Sequence, residues 1–490
     1  MAEESAAWQE LNARYGPGHR ARIIEDAVNQ LDTRQLRAIY RQVGSLAYPP
    51  ELLLKMALYE LLEGRNSPAQ WHRDAGEHDV LKWLGRGIRP ARTTWYDFRD
   101  RMGKAIHLLN EQLVREAVEN QCACPVQAAQ DGSTFRSQAS RHQTFNRQRL
   151  AKRKECVLAA VERDVCGMPL AEPTPRWMPA TVSGRQELCQ RIERAEQQLE
   201  RLCLENANKL KNRRREEKNI FVSLTDPEAP FARDKEKTFC FLYTAQLMVD
   251  ADSLLILGYS VAAQNTDTGT LAPMIDRVQR TIGGTLRQVS ADSGYTSVLD
   301  LQDCCERSID LIAPVSENSF SQSKRQASAI VKPFARDQFQ WLDDEQKFIC
   351  PAGHSLIYKT KEHLDRHGGR QVISRHYRCD PKHCLACPLA RKCTTNPARG
   401  RTIKRLDGQE LIDAQRQKMM RPDIKQIYAR RGQTIERAFA DAKGHRSFGR
   451  LRGRGLLRAR AAIGLLVLAQ NILNRHRLMR LDKCSEKRQE

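Results

Sequence analysis

The sequence has no long hydrophobic run. Its longest apolar segment, Ala461 to Ala469 with an extension to Leu473, falls well short of the roughly 20 residues a membrane-spanning helix needs. No N-terminal stretch joins a basic region to an apolar core, so no secretory leader is read and a cytoplasmic protein is expected. Acidic residues are the second deficit: 59 Asp and Glu face 81 Lys and Arg, a formal net charge of +22 over 490 residues. Such a surface repels itself unless a polyanion neutralises it, which points to a phosphate-rich partner without separating DNA from RNA or an anionic membrane. In a reducing compartment a disulfide frame is not expected, so the 15 cysteines are read as thiols or metal ligands. What is present is globular composition, 40% apolar and 29% charged, in a chain long enough for two or three domains.

Residues 1–120 read as a helical domain for DNA binding or dimerisation. The run from Pro50 to Leu62 carries a broad apolar stripe closed by Gly64, and Arg86, Arg89, Arg92, Arg99 and Arg101 lie on short helical segments that follow. The pattern changes at Val126, where Val126 to Asp131 reads as a short strand ending in an Asp-Gly turn. Over 184–218, Leu188, Ile192, Ala195, Leu199 and Leu202 alternate in spacings of four and three, a heptad seam that predicts a long helix or helical hairpin inserted between strands. Strand signals follow from Phe239 to Val249, from Leu254 to Val261, from Leu286 to Asp292 and from Ile309 to Pro314, with helices predicted near 271–282 and 296–307. That order specifies an α/β mixed sheet flanked by helices.

Two Asp residues stand at predicted strand ends, Asp131 in Gln-Asp-Gly-Ser and Asp292 in Ser-Ala-Asp-Ser-Gly-Tyr, where open α/β sheets hold ligands and metals. A third carboxylate, Glu436, borders an apolar stripe formed by Ile435, Phe439 and Ala442, and Lys443 follows seven residues later on the same side, extending towards a phosphate. Three carboxylates suit phosphodiester chemistry, because two divalent ions about 4 Å apart activate the attacking oxygen and stabilise the leaving one. Asp226, Asp250, Asp252 and Asp267 are the acidic competitors; Asp250 and Asp252 lie in a hairpin turn, where Asp needs no further role, and Asp267 is a candidate for the surroundings of the metal.

These residues resemble the DDE transposases of bacterial insertion sequences. The resemblance rests on Asp131-Gly-Ser, on Ala291-Asp-Ser-Gly-Tyr, and on Tyr428-x2-Arg431 followed by Glu436-x6-Lys443, with Tyr48-Pro-Pro-Glu, Asp97-Phe-Arg, Gln264-Asn-Thr-Asp-Thr-Gly and Leu451-Arg-Gly-Arg-Gly-Leu beside them. It implies an RNase H-like core over 121–480, interrupted at 184–218 and 340–400 and followed by a tail at 481–490. It further implies Asp131, Asp292 and Glu436 as ligands of Mg²⁺ or Mn²⁺, a double-stranded DNA substrate cut at element ends and joined to a target, and a dimer pairing two ends on the nucleoid. A related nuclease without strand transfer and a non-catalytic DNA-binding derivative are the other readings. One departure is visible: four residues separate Arg431 from Glu436, where the best-known branch of this Tyr-Arg-Glu-Lys signature has three.

The region 340–400 is otherwise polar and weakly patterned, yet holds Cys350, Cys379, Cys384, Cys387 and Cys393 near His354, His376 and His383. The Cys384-x2-Cys387 pair has knuckle spacing, and Cys379 and Cys393 could complete a tetrahedral zinc site that supplies the stability a missing core would not. An iron–sulfur cluster and free thiols are the alternatives. Between Arg421 and Arg460, twelve Lys or Arg face three acidic residues. Tyr428, Arg431, Lys443, Arg446, Arg450, Arg452 and Arg454 are therefore the candidate DNA contacts.

Overall fold

The computed structural model describes residues 6–40, 48–209, 214–234, 236–264, 267–315, 334, 336–365 and 369–489. Residues 210–213 of the expected helical insertion, 265–266 of the Gln264–Gly269 segment, 366–368 of the Cys-rich region and 490 of the tail lie outside them. The chain forms two compact units, one of residues 1–265, 277–285 and 432–490, the other of 266–276 and 286–431.

The first unit opens with α1 (Ala6–Arg14), α2 (Arg20–Gln30), α3 (Arg34–Ala38), α4 (Pro50–Leu62), α5 (Pro68–Glu77), α6 (Asp79–Leu84) and α7 (Arg92–Glu119). Pro50 starts α4 where its missing N–H costs nothing, and Leu53, Leu54, Ala57, Leu58 and Leu61 are buried as the stripe predicts. The strands follow: β1 (Gln127–Arg136), β2 (Thr144–Phe145), β3 (Val222–Ser223), β4 (Phe231–Arg233), β5 (Phe239–Asp250) and β6 (Ile256–Ala262), with α8 (Arg147–Val165) and α9 (Val182–Ala207) between β2 and β3. β5 is buried on both faces after its first residue, as a central strand must be. β1 pairs antiparallel along one side of it, and β4 and β6 pair along the other.

The heptad seam is real, but its partner lies upstream of it. Leu188, Ile192, Ala195 and Leu199 of α9 are buried against Leu150 and Val157 of α8, with Phe145 and Val222 closing the small core. The insertion is thus a helical hairpin that begins well before residue 184.

In the second unit, α10 (Leu271–Ile282), which starts here and runs back into the first, precedes β7 (Gln288–Ser290), α11 (Val298–Glu306) and β8 (Asp310–Ile312). β7 and β8 are parallel, and α11 is the crossover such a pair requires. A reciprocal Ser297–Asp300 capping box starts α11. Next comes an antiparallel meander of β9 (Gln340–Leu342), β10 (Lys347–Ile349), β11 (Ser355–Asp365), β12 (Gln371–Cys379) and β13 (Thr402–Leu406). Short helices α12 (Pro381–Leu385) and α13 (Ala390–Cys393) lie between β12 and β13, and α14 (Gln409–Met420) and α15 (Pro422–Arg431) complete the unit. This region does have a core: Phe339, Phe348, Leu356, Tyr377 and Ile403 are buried together, and Trp341 and Phe348 meet Tyr377 edge-on with centroids 5.3 and 5.4 Å apart. The sequence hides it because so few large apolar residues, widely spaced, build it.

The chain then returns to the first unit through α16 (Arg437–Ala440) and α17 (Leu456–Gln489). α17 is long and apolar enough to cross a membrane by length and composition, but 61% of its apolar window is buried inside the protein, where it packs on α7 and β6. Asn471, fully buried, accepts from the Ile256 amide at 2.8 Å and donates to the Ile256 carbonyl at 2.9 Å. A polar side chain pairing with a strand backbone in this way fixes a core helix to a sheet. Its apolar core joins that of the N-terminal helices and of β1, β5 and β6 in one continuous cluster.

Candidate active site and cysteine cluster

Asp131 is not at a strand end. β1 and β5 stay in register from Ala128↔Asp250 to Arg136↔Leu242, with Asp131 opposite Leu247 and Gly132 opposite Gln246. Nine successive pairs override the local turn preference of Asp-Gly, a dipeptide whose usual role is a turn. Asp131 accepts the Gly132 amide at 2.8 Å. By the alternation of a strand, it shares a face with Ser133 and Phe135.

That face meets the segment carrying Glu436. Ile435, Phe439 and Ala442 are buried as expected, and the Phe135 and Phe439 rings pack 6.3 Å apart. Lys443 does not extend outward: its Nζ donates to Ser133 Oγ at 2.7 Å and stands 5.0 Å from the centre of the Phe135 ring. Sequence reasoning missed Ser133, although its place two residues after Asp131 on one strand face is the signal that finds it.

The backbone explains the odd spacing before Glu436. Gly432–Glu436 is a π-helical turn, α16 is four regular residues, and Asp441–His445 is a second π turn. A π turn holds one residue more than an α turn, so the extra residue between Arg431 and Glu436 is absorbed locally. The Glu436 carboxylate folds back over Gly432, where a Cβ would meet both of its oxygens at 3.8 Å. Tyr428 and Arg431 lie on α15 in the second unit, with the Arg431 guanidinium 6.0 Å from the Tyr428 ring centre.

Asp292 is in the second unit, two residues past β7, where the strand pattern predicts it. Its Oδ1 accepts the Gly294 amide at 2.7 Å and caps a short 3₁₀ turn over Ser293–Tyr295. Asp267 flanks the same glycine: a Cβ at Gly294 would lie 2.9 Å from Asp292 Oδ1 and 3.5 Å from Asp267 Oδ2. Two hard oxygen donors thus border one backbone position, a donor set suited to Mg²⁺ or Mn²⁺. The competitors have structural work. Asp250 accepts from the Ser253 amide at 2.9 Å, and buried Asp226 accepts from Tyr243 at 2.7 Å and from the Gly455 amide at 3.0 Å. Burial raises the carboxyl pKa of both.

Residues 349–476 match the family described as "Transposase DDE domain", and residues 9–101 match the transposase domain DUF772. Together the two matches support a DDE transposase of insertion-sequence type. The first match opens beside Cys350 and takes in Glu436 and Lys443; the second covers α1 to α6 and the start of α7. No curated protein matches the chain. The piggyBac transposase in a synaptic complex with hairpin DNA aligns with 94% of this chain and 74% of its own at 8% identity and a TM-score of 0.31, too loose a likeness to carry any argument.

The basic tail divides into two kinds of residue. Arg446 donates to the Leu62 carbonyl and pairs with Asp441 at 3.2 Å, and Arg450 donates to the carbonyls of Ser137 and Ala139 at 3.2 and 3.0 Å. Both clamp the chain to its own backbone. Arg450 is still exposed, as are Arg452, which donates to Asn66 Oδ1 at 3.3 Å, and Arg454. Elsewhere, the ligand atoms of Asp74, Glu77 and His78 lie within 4.8 Å of one another, but Asp74 is already held by Arg65 at 3.2 Å and Arg73 at 3.3 Å.

In the second unit, Cys350, Cys379, Cys384, Cys387 and Cys393 line one cavity with His354, His383 and Arg401. The four expected thiols are therefore gathered, and so is the fifth. Burial and neighbouring sulfurs push the Cys379 thiol up to about 12. The His354 and His383 rings stack beside them with centroids 4.4 Å apart.

Proposed function

We propose that the chain is a transposase that cuts DNA at the ends of its element and joins the freed 3′-hydroxyl to target DNA, on an RNase H-like core in which Asp131, Asp292 and Glu436 hold Mg²⁺ or Mn²⁺. What supports the reading most is the packing of the Glu436–Lys443 segment on the β1 face that carries Asp131, in a chain whose family is defined by such carboxylates. Divalent ions there would activate the attacking oxygen and stabilise the leaving one. The chain's own part is to fix the oxygens in place: the Gly294 amide orients Asp292, and Lys443 ties the Glu436 segment to β1.

In this reading the substrate is double-stranded DNA, engaged by Tyr428 and Arg431 of the second unit and by Arg452 and Arg454 of the first, where Lys443, Arg446 and Arg450 are held by contacts within their own unit. The helical region 1–120 contributes DNA binding or dimerisation, two copies pair the two ends, and the work is done at the nucleoid. The cysteine cluster holds a structural zinc, for which soft thiolate donors in a closed tetrahedral set are suited.

Asp131→Ala, Asp292→Ala and Glu436→Gln are each expected to abolish Mg²⁺-dependent cleavage of an end-containing duplex while leaving DNA retention intact. Cutting that survives in any of them removes that residue from the site. A joining assay with pre-cut ends separates a transposase from a nuclease that only cuts.

A further inference from the structure

We propose that Gln470 is a positioning residue for the metal site: through Asp441 it sets the place of the Glu436 segment against the sheet that carries Asp131. This rests on the Mg²⁺ or Mn²⁺ reading above, and every residue it uses lies in the first unit.

Gln470 and Asn471 follow the apolar run Ala461–Ala469 of α17. A buried amide costs stability unless its hydrogen bonds are made, and these two make theirs to different elements. Asn471 grips both backbone groups of Ile256 on β6. Gln470, half-buried, donates from Nε2 to the Ala438 carbonyl at 3.3 Å and to Asp441 Oδ2 at 2.8 Å, which uses both protons of its amide nitrogen. Successive residues of a helix point about 100° apart, so one turn of α17 holds the sheet and the Glu436 segment at once. On the sheet side the link runs on to the site: Tyr259, three residues beyond Ile256, pairs with Leu247 of β5, and Leu247 pairs with Asp131.

On the other side, Asp441 opens the second π turn, which carries Lys443. Its Oδ2 also takes Arg446 Nε at 3.2 Å, its carbonyl takes the Arg446 amide at 3.0 Å, and Arg446 donates in turn to the Leu62 carbonyl. The turn is closed on itself at Asp441 and anchored from outside to α17 and to the end of α4. An α turn in its place would rotate Lys443 about 100° relative to Glu436 and take it off Ser133. The bond from Gln470 to Asp441 therefore favours the register in which Lys443 reaches β1 with Glu436 beside it.

The test uses the full chain. Gln470→Met keeps the length of the side chain and removes both donors. It should raise the Mg²⁺ needed for half-maximal cleavage of an end-containing duplex about tenfold, at the low end of what outer partners of metal ligands contribute, with the rate restored at saturating Mg²⁺. Mn²⁺ binding, read by electron paramagnetic resonance without turnover, should weaken by a similar factor. Asp441→Asn should shift both measurements the same way, and it carries the test should Gln470→Met fail to fold. Ile472→Val, a loss of core packing on the same turn of α17, should leave the Mg²⁺ requirement unchanged. An unaltered half-maximal point and Mn²⁺ affinity in Gln470→Met overturn the inference. So does a rate lowered equally at every Mg²⁺ concentration, or an equal shift in Ile472→Val, since either marks a merely structural role. A Glu436→Gln chain that still cuts and binds Mn²⁺ as the wild type does overturns instead the metal reading beneath it.

Discussion

The contact between Lys443 and Ser133 offers a measurable account of how the Glu436 segment is held. Replacing Lys443 by Met keeps most of the stem and removes the 2.7 Å bond to Ser133 Oγ together with the charge 5.0 Å from the Phe135 ring. A hydrogen bond to a charged group contributes about 1.5–3 kcal/mol and a partly desolvated cation–ring contact about 0.5–1 kcal/mol. Lys443 is half-buried, so screening reduces the sum, and we expect about 1–2 kcal/mol. In hydrogen exchange read by mass spectrometry, local opening of peptides over β1 and over 437–448 should become roughly 5–30 times faster. Ser133→Ala should reproduce part of the effect. A cycle combining both changes should show a coupling of about 1 kcal/mol, against the few tenths expected of independent sites. Unchanged exchange in Lys443→Met, or a coupling indistinguishable from zero, would refute the pin and return Lys443 to a role on the phosphate.

At Gly294, an added methyl would lie 2.9 Å from Asp292 Oδ1, closer than real contacts allow. Gly294→Ala should therefore cost Mg²⁺-dependent cleavage while thermal unfolding changes little, and full activity would contradict the proposed placement of Asp292. Arg454→Ala should weaken DNA binding and lower the salt slope by about one, whereas Arg450→Ala should act through faster local exchange near Ser137 and Ala139. Glu60, buried on α4 and paired with Arg65 at 2.8 Å, has its carboxyl raised from 4.5 to about 7, chiefly by burial and against the pull of Arg65. A carboxyl that holds its proton more tightly when folded contributes stability that is complete below its unfolded pKa and is lost as pH rises through the folded one. Glu60→Gln should flatten the pH dependence of unfolding between about 4.5 and 7, and an unaltered profile would show that Glu60 does not titrate there.

Much of this was legible in residue order. The alternation of strands and helices from Phe239 to Pro314 predicts β5, β6, α10, β7, α11 and β8, and the strand-end place of Asp292 follows from it. Asp131 misleads because Asp-Gly taken alone signals a turn, while its conformation is set by nine pairs with a strand more than a hundred residues away. Helix α8 was invisible because only Leu150, Val157 and Ala160 are buried along 19 residues, too sparse a stripe to be read without its partner α9. Asp267 and Asp292 come to border one glycine only through tertiary folding, so no spacing rule reveals it.

The two π turns around α16 bear on how signatures of this kind should be transferred between relatives. A helix that can take in a single residue without turning its next side chain away works like a vernier, decoupling position in the sequence from direction in space. Glu436 and Lys443 each sit on such a turn, not on the regular cylinder between them. Chains of different spacing could thus present the same carboxylate, and equally spaced chains could present different ones. Matching by the face a residue presents, with one residue of slack allowed at Gly432, is the sounder rule for finding the acidic partner in divergent members.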